Sequence, residues 1–377
     1  MKSSRFPAAF MRGGTSKALM FHLRDLPLDR SRWDAIFLGA IGSPDPHGRQ
    51  LNGMGGGVSS LSKVCVIGPP TRDDADVDYT FAQVLVKDAR VDYSGNCGNM
   101  SSAVGPFAID EKLVVAGDGD ALVRIHNTNT KKIIHSAFRV AAGEAIEQGG
   151  LVIPGVAGSG APIRLDFLDP GGATTGMLLP TGNVIDHLDA PGVGAIAISL
   201  IDAANATVFI SADTLGLRGT ELPDAIEGDA ALLERIDSIR AAGSVAMGIT
   251  ADVAAARMKT MVPFFAIVGP PQPFRTLASE DVPADAIDVT VRFISNGQPH
   301  RALPLTGSLC TAVAARLRGS VVHRAVRPGA SGALRLGMPS GVLTVDASVH
   351  EQGNAWHAKQ GSFYRTARRL FDGYVYA

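Results

Sequence analysis

"VDYSGNCGNMSSAVGPFAID", residues 91–110, passes from a strand-like start through a Gly/Asn-rich turn into a helical run. Cys97 stands where the turn becomes the helix, between Gly95–Asn96 and Gly98–Asn99. The opening of a helix carries main-chain N–H groups with no intrahelical partner, so such a turn forms an anion site and can serve as an oxyanion hole. A cysteine placed there has its thiolate favoured by the helix dipole and is available as acid, base or nucleophile. The bland alternative is a small side chain packed under a tight turn. Glycine on both flanks together with Asn96 and Asn99 is poor core composition, which favours a functional role.

The second half of the chain repeats the theme. "DVTVRFISNGQPHRALPLTGS" (288–308) leads from a strand into the helical "LCTAVAARLRG" (309–319). Each half therefore aims a helix N-terminus out of a turn, and a pseudo-twofold axis between related halves would set the two N-termini facing across a cleft. Strand-like runs dominate around them: 63–69, 76–86, 121–127, 132–140, 163–169, 194–201, 206–212, 263–269, 288–295, 333–338 and 341–349. Helical patterns are fewer, over 99–113, 228–243 and 308–318. Many short strands around one prominent helix per half predict an α+β protein of two β-rich domains. "NVIDHLDAPG" (183–192), after the turn-rich "LPTG", reads as the linker. The expected domains are 1–185 and 186–364, the first completed by a C-terminal strand over 365–377.

Composition excludes several classes. The 377 residues exceed one ordinary core. Lys+Arg 35 against Asp+Glu 36 gives no basic surface for nucleic acid, and no run is long enough to span a membrane. Three cysteines without a CxxC pair or a His/Cys cluster fit a reducing, cytoplasmic setting and argue against structural zinc.

Two further stretches carry chemistry. In "MRGGTSK" (11–17), Arg12, Thr15, Ser16 and Lys17 surround two glycines, which suits either a carboxylate cradle or a plain hairpin loop. In "GSPDPHGRQLNGMGGGVSSLSKVCVIG" (42–68), a glycine run and Ser59, Ser60 and Ser62 lead to Lys63 at the mouth of an apolar strand. A buried amine there is available as a general base; an edge-strand lysine reaching to solvent is the competing reading. No dinucleotide fingerprint is present, because "GMGGGVSS" leads into a strand and not a helix.

Taken together, "MRGGTSK", "GSPDPHGRQLNGMGGGVSSLSK" and "DYSGNCGN" resemble the signature blocks of the PrpF family, which includes 2-methylaconitate cis–trans isomerases, 4-oxalomesaconate tautomerases, methylitaconate delta-isomerases and aconitate isomerases. The similarity extends through "LPTGN" (179–183), "RLGMPSGVL" (335–343) and "RTARRLFDG" (365–373). Asn52 stands where the family pattern has aspartate, and Phe264 where relatives commonly carry lysine. The resemblance implies a diaminopimelate-epimerase-like fold of two pseudo-twofold-related domains, each a β-barrel-like sheet around a central helix. Epimerases of that fold pair two cysteines. Here Cys97 matches the first, whereas the second would fall near Pro304, so two-thiol racemisation is unavailable.

The resemblance further implies Lys63 and Cys97 as the catalytic pair of a cofactor-independent, metal-free isomerase acting on a small unsaturated polycarboxylate, with 2-methylaconitate as the leading substrate. Lys63 would remove an allylic proton, and N–H groups at 97–99 and 307–309 would stabilise the dienolate. Arg12, Thr15, Ser16, Lys17, Ser60, Asn96, Gly98, Asn99, Arg301, Thr306, Gly307 and Ser308 are the implied substrate contacts. A homodimer and a functional link to an aconitase-like dehydratase stand open as partners. A non-enzymatic accessory to such a dehydratase is the rival class, for which a base at Lys63 would have no use.

Overall fold

The computed structural model describes residues 4–190, 193–353 and 355–377. Its strands are β1 Arg5–Gly13, β2 Ser16–His22, β3 Lys63–Gly68, β4 Val77–Val84, β5 Val91–Asp92, β6 Gly119–Asn127, β7 Lys132–Ala141, β8 Glu144–Ala145, β9 Ile163–Leu168, β10 Asp186–Ala190 and β11 Gly194–Ala203. They continue with β12 Asn205–Ser211, β13 Phe264–Gly269, β14 Phe274–Arg275, β15 Asp281–Val282, β16 Val289–Ser295, β17 Gln298–Pro299, β18 Leu334–Met338, β19 Gly341–Gln352, β20 Ala355–Arg365 and β21 Ala367–Tyr376. The α-helices are α1 Trp33–Ile41, α2 Gly98–Asp110, α3 Pro223–Glu227, α4 Ala230–Ala246, α5 Val253–Met258, α6 Leu305–Arg316 and α7 Val321–Ala325.

The chain divides into two compact units: Met1–Asp166 with Tyr364–Ala377, and Phe167–Phe363. In unit 1 the ladder runs β21–β1 antiparallel, β1–β2 antiparallel, β2–β3 parallel, β3–β4 antiparallel, β4–β6 parallel and β6–β7 antiparallel. Unit 2 repeats that order of senses through β10–β11, β11–β12, β12–β13, β13–β16, β16–β18 and β18–β19. The repeat is visible in sequence as well: "KVCVIGPP" (63–70) and "FFAIVGPP" (264–271) each form the fourth strand of the order and its exit.

Each unit wraps its sheet around one buried helix. Every residue of α2 from Gly98 to Ile109 is buried, and it packs on β1, β2, β3, β6, β7, β8 and β21. Small side chains permit this: a Cβ at Gly105 would lie 2.6 Å from Ser136 Oγ and 2.7 Å from Phe138 Cε1. In unit 2, α6 is buried from Leu305 to Ala315 against β11, β12, β19 and α7. The opposite face of each sheet takes a second helix. Phe10, Leu19, Phe21, Val64 and Val66 bury Trp33, Phe37 and Ile41 of α1, while Leu200, Val208, Ile210, Phe265 and Ile267 bury Leu232, Ile236 and Ile239 of α4. Full burial of side chains of this size contributes about 1.5–3 kcal/mol each to holding these seams together.

Within 183–192, expected as a linker, Asp186–Ala190 instead forms β10 and pairs with β11 (Leu188 opposite Ile196), because Leu188 and Ala190 have an apolar partner strand to cover. Pro191 and Gly192 lie outside the described residues. The strand expected over 365–377 is β21, and the hairpin-loop reading of 11–17 corresponds to the β1–β2 turn. Helix α1 and strand β20 escape the sequence reading; their apolar residues run in blocks with no clear period of two or 3.6.

Candidate active site

Lys63 is the first residue of β3 and only 6% exposed. Register places it opposite Ala18 of β2 and Gln83 of β4. Its Nζ donates to Gln83 Oε1 at 2.6 Å and sits 5.0 Å from the centroid of the Phe81 ring. The reading of Lys63 as a solvent-reaching edge residue is therefore corrected: strands cover it on both sides. Gln83 is held in turn, its Nε2 donating to Ser59 O at 3.0 Å and Ser62 O at 2.9 Å.

Side chains alternate along a strand, so Lys63 shares its face with Cys65, Ala18 and Ser16. That is the face covered by α2. Cys97 is the N-cap of α2, with extended dihedrals (φ −108°, ψ 96°) and no side-chain cap. The first ladder bond runs from Ser101 N to Cys97 O at 3.0 Å, which leaves the N–H groups of Gly98, Asn99 and Met100 outside the helix ladder. Cys97 is 8% exposed, and its thiol lies 4.0 Å from Ser16 Oγ. Tyr79 Oη donates to Cys97 O at 3.4 Å and accepts from Cys65 Sγ at 3.8 Å. Burial pushes the Cys65 thiol well above its ordinary value, and both Cys97 and Lys63 act on it electrostatically, so the three groups share one environment.

The turn between β1 and β2 sits directly on this helix start. A Cβ on Gly13 would lie 2.7 Å from Asn99 O, and one on Gly14, at φ +51°, would lie 2.2 Å from Asn99 Oδ1. Asn99 Nδ2 donates to Thr15 Oγ1 at 3.1 Å, while Asn99 Oδ1 accepts from Arg365 Nε at 3.3 Å. Arg365 is 5% exposed, and burial lowers its guanidinium to about 10. "MRGGTSK" is thus a hairpin, and its Thr15–Ser16 end meets the α2 N-terminus.

Not all expected contacts gather there. Arg12 and Lys17 are opposite each other in the hairpin register and share a face with Phe10, away from Ser16 and α2. Lys17 Nζ lies 5.5 Å from the Phe10 ring centroid. Arg12 Nη1 donates to Gly14 O at 3.0 Å and Thr366 O at 2.8 Å, and burial and Arg368 lower its proton affinity while Glu147 opposes them. Arg12 therefore clamps the hairpin to the strand that follows Thr366. Asn96 is buried and accepts from Asn127 Nδ2 at 3.2 Å, tying the turn to the end of β6. Ser60 is half-buried in the single 3₁₀ turn Ser59–Leu61.

In unit 2, α6 begins after the N-cap Pro304. Ser308 N and Oγ both donate to Pro304 O, at 2.8 and 3.0 Å. The unladdered N–H groups are consequently those of Leu305, Thr306 and Gly307, which corrects the expected 307–309, just as 98–100 replaces 97–99 in unit 1. Gly307 packs on Phe293, where a Cβ would meet the ring at 2.6 Å. Arg301 is exposed and paired with Asp224 at 3.2 Å. The repeat gives both positions expected to be catalytic a counterpart: Phe264 begins β13 as Lys63 begins β3, and Pro304 caps α6 as Cys97 caps α2. Phe264 is packed edge-on to Phe293 and His300, so that position is apolar. The two candidate acid–base groups, Lys63 and Cys97, both belong to unit 1. Among the described residues no group of three or more His, Cys, Asp or Glu is disposed to hold a metal, and no helix is long and apolar enough to cross a membrane.

Sequence reading misses Gln83, Gln50 and Arg365. Gln50 Oε1 accepts from Ser62 Oγ at 2.6 Å and Gly57 N at 2.8 Å, and Gln50 Nε2 donates to Ser43 Oγ at 2.8 Å. Its conjunction of a polar side chain with a glycine run was the available signal. Gln83 lies inside a plain strand pattern and is legible only through register.

Comparison with solved structures agrees with this architecture. A methylitaconate-delta-isomerase superposes over 100% of this chain and 96% of its own, with a TM-score of 0.80 and 39% identity. A hydroxyproline epimerase from Agrobacterium vitis shares the fold at 11% identity, with a TM-score of 0.57 over 100% of this chain and 94% of that one. Fold and relatives together define an α+β isomerase of the epimerase-like architecture. The chain belongs to the PrpF family, whose model, described as PrpF protein, matches residues 3–377. Similar curated proteins are the 3-methylitaconate isomerase of Eubacterium barkeri (41% identical; 99% of this chain, 97% of the relative) and the 2-methyl-aconitate isomerase of Cupriavidus necator (38%; 98% and 96%).

Proposed function

We propose that this isomerase shifts a proton within a small unsaturated polycarboxylate, with 2-methylaconitate as the first candidate, and that Lys63 is the base. The observation that carries the reading is Lys63 itself: a buried amine bonded to a neutral amide oxygen, on the face that holds Cys97 and the open N–H groups of α2. An allylic C–H conjugated with a carboxylate is acidic enough for such a base when the resulting charge is met by preorganised donors. Lys63 takes the proton, the C–H electron pair enters the conjugated system as a dienolate, and the N–H groups of Gly98, Asn99 and Met100 receive the anionic oxygen. Thr15, Ser16 and Asn99 border that position. The proton returns to the other allylic carbon, or to the same carbon after bond rotation, from the Lys63 ammonium or the Cys97 thiol. The substrate's own carboxylate is the electron sink, so the step as written calls for no cofactor. The names of the relatives, a 3-methylitaconate isomerase and a 2-methyl-aconitate isomerase, support allylic acids as the class.

Proton NMR in D2O with 2-methylaconitate, aconitate, methylitaconate and 4-oxalomesaconate tests this. Turnover with solvent deuterium entering an allylic position is the expected result, abolished in Lys63→Ala. A Lys63→Ala enzyme that still exchanges would refute the proposal. Loss of product formation in Cys97→Ala with exchange retained would assign the returning proton to the thiol.

A further inference from the structure

The Lys63 amine is bonded to one side-chain acceptor, the Gln83 amide oxygen. We infer that Gln83 is a positioning residue for the proton-transferring amine, and that it links that amine to the glycine-rich loop; this rests on the reading of Lys63 as base. Its orientation is fixed by the surroundings. Two main-chain carbonyls, Ser59 O and Ser62 O, lie at 3.0 and 2.9 Å from one amide atom, and only the NH2 end can donate to them. The oxygen is thereby turned to Lys63 Nζ at 2.6 Å. Gln83 is 1% exposed, so solvent offers Lys63 no substitute acceptor on this side.

The chain of bonds continues into the loop. Ser62 Oγ donates to Gln50 Oε1 at 2.6 Å, and Gln50 also takes Gly57 N at 2.8 Å. Gly55 approaches so closely that a Cβ there would lie 2.2 Å from Gln50 Oε1. The loop from Gln50 to Ser62 therefore sets the carbonyls that set Gln83, which sets Lys63. A neutral acceptor matters chemically. It anchors one N–H of the amine and leaves the lone pair free, whereas a carboxylate in the same place would hold the group as ammonium. Phe81 of β4, Ala18 of β2 and Cys65 of β3 neighbour Lys63, and Tyr79 and the α2 cap Cys97 act on the same Cys65 thiol; Cys65 and Tyr79 are held neutral by burial.

The isosteric variant Gln83→Glu tests the charge argument. Its kcat at neutral pH should fall by about 100-fold, while KM stays within about threefold, and the acidic limb of the kcat–pH profile should move to higher pH. Gln83→Ala removes the anchor without adding charge. It should lower kcat by about 10- to 100-fold with no displacement of the profile. Thermal unfolding of both variants separates these effects from loss of fold, since an unfolding defect lowers the active fraction without moving a pH limb. A Gln83→Glu profile that overlays wild type, with kcat unchanged, overturns the inference while Lys63→Ala remains inactive. An active Lys63→Ala enzyme overturns both this and the assignment of the base.

Discussion

The contact between the β1–β2 turn and the α2 N-terminus is close enough to be tested with one methyl group. Gly14→Ala adds a Cβ that, on the present backbone, would lie 2.2 Å from Asn99 Oδ1, 3.0 Å from Asn99 Cγ and 3.2 Å from Arg365 Cδ. Two costs add. Gly14 sits at φ +51°, where an L side chain costs about 1–2 kcal/mol. Forcing the turn off Asn99, itself tied to Thr15 and Arg365, adds about 1–3 kcal/mol of overpacking. The sum is about 2–5 kcal/mol, or roughly 4–20 °C in Tm for a cooperative unit of this size. Gly158→Ala is the matched control: its φ is +79°, yet nothing lies within 4 Å of the added Cβ. It should show only the backbone cost, and the difference in Tm between the two variants isolates the steric contact. Differential scanning calorimetry with kcat measured alongside reads both consequences, because displacing Asn99 also moves the donors of α2. Equal Tm losses in Gly14→Ala and Gly158→Ala would refute the close approach, and with it the placement of the hairpin on the helix start.

Two further outcomes follow from the electrostatics. Burial pushes the Glu111 carboxyl up, but hydrogen bonds from His22 (3.0 Å) and Arg369 (2.9 Å) outweigh it and hold the group below its ordinary 4.5. A depressed carboxyl stabilises the fold above its unfolded-state value and loses that contribution as pH falls through the folded one. Glu111→Gln should therefore lower Tm at pH 7 and have a much smaller effect near pH 3; an equal loss at both would refute the linkage. Burial raises the Cys310 thiol to about 12 and Cys65 further still, so at pH 8 both are almost wholly protonated. Iodoacetamide at pH 8, read by mass spectrometry, should leave both unmodified in the folded protein and modify all three cysteines after denaturation. Rapid labelling of Cys65 or Cys310 in the native state would contradict their burial.

Much of the architecture was legible because it follows from short-range patterns. Runs such as "KVCVIGP" and "DVTVRFIS" have the β-branched density of strands buried on both faces, and β3 and β16 lie within a residue or two of the expected bounds. The Gly/Asn turn before Met100 marks a helix start, and α2 begins at Gly98. Cys97 was singled out as a candidate by its type at a helix start and Lys63 as the candidate base through the family resemblance, and the related wording of the two halves became a repeated strand order. Helix α1 and the hairpin were less legible, since their apolar residues serve two cores and carry no clean period.

What sequence could not supply was partnership. Arg12 and Lys17 sit beside Ser16 in the chain, but strand parity turns them to the α1 face and Ser16 to Cys97. Parity depends on where a strand starts and how it pairs, and a slip of one residue would exchange the two faces. Gln83 is 20 positions from Lys63, and only the β3–β4 register sets amide against amine. The open N–H groups were displaced for the same reason: Cys97 and Pro304 stand as caps outside their helices, and a cap is defined by the first ladder bond that closes. The sequence by itself determined the α+β class, the duplicated strand–turn–helix units and the residue types with chemical capacity, because these rest on local propensity. Only the tertiary structure decided which of those residues share a face, since hydrogen-bond register is a relation between distant segments.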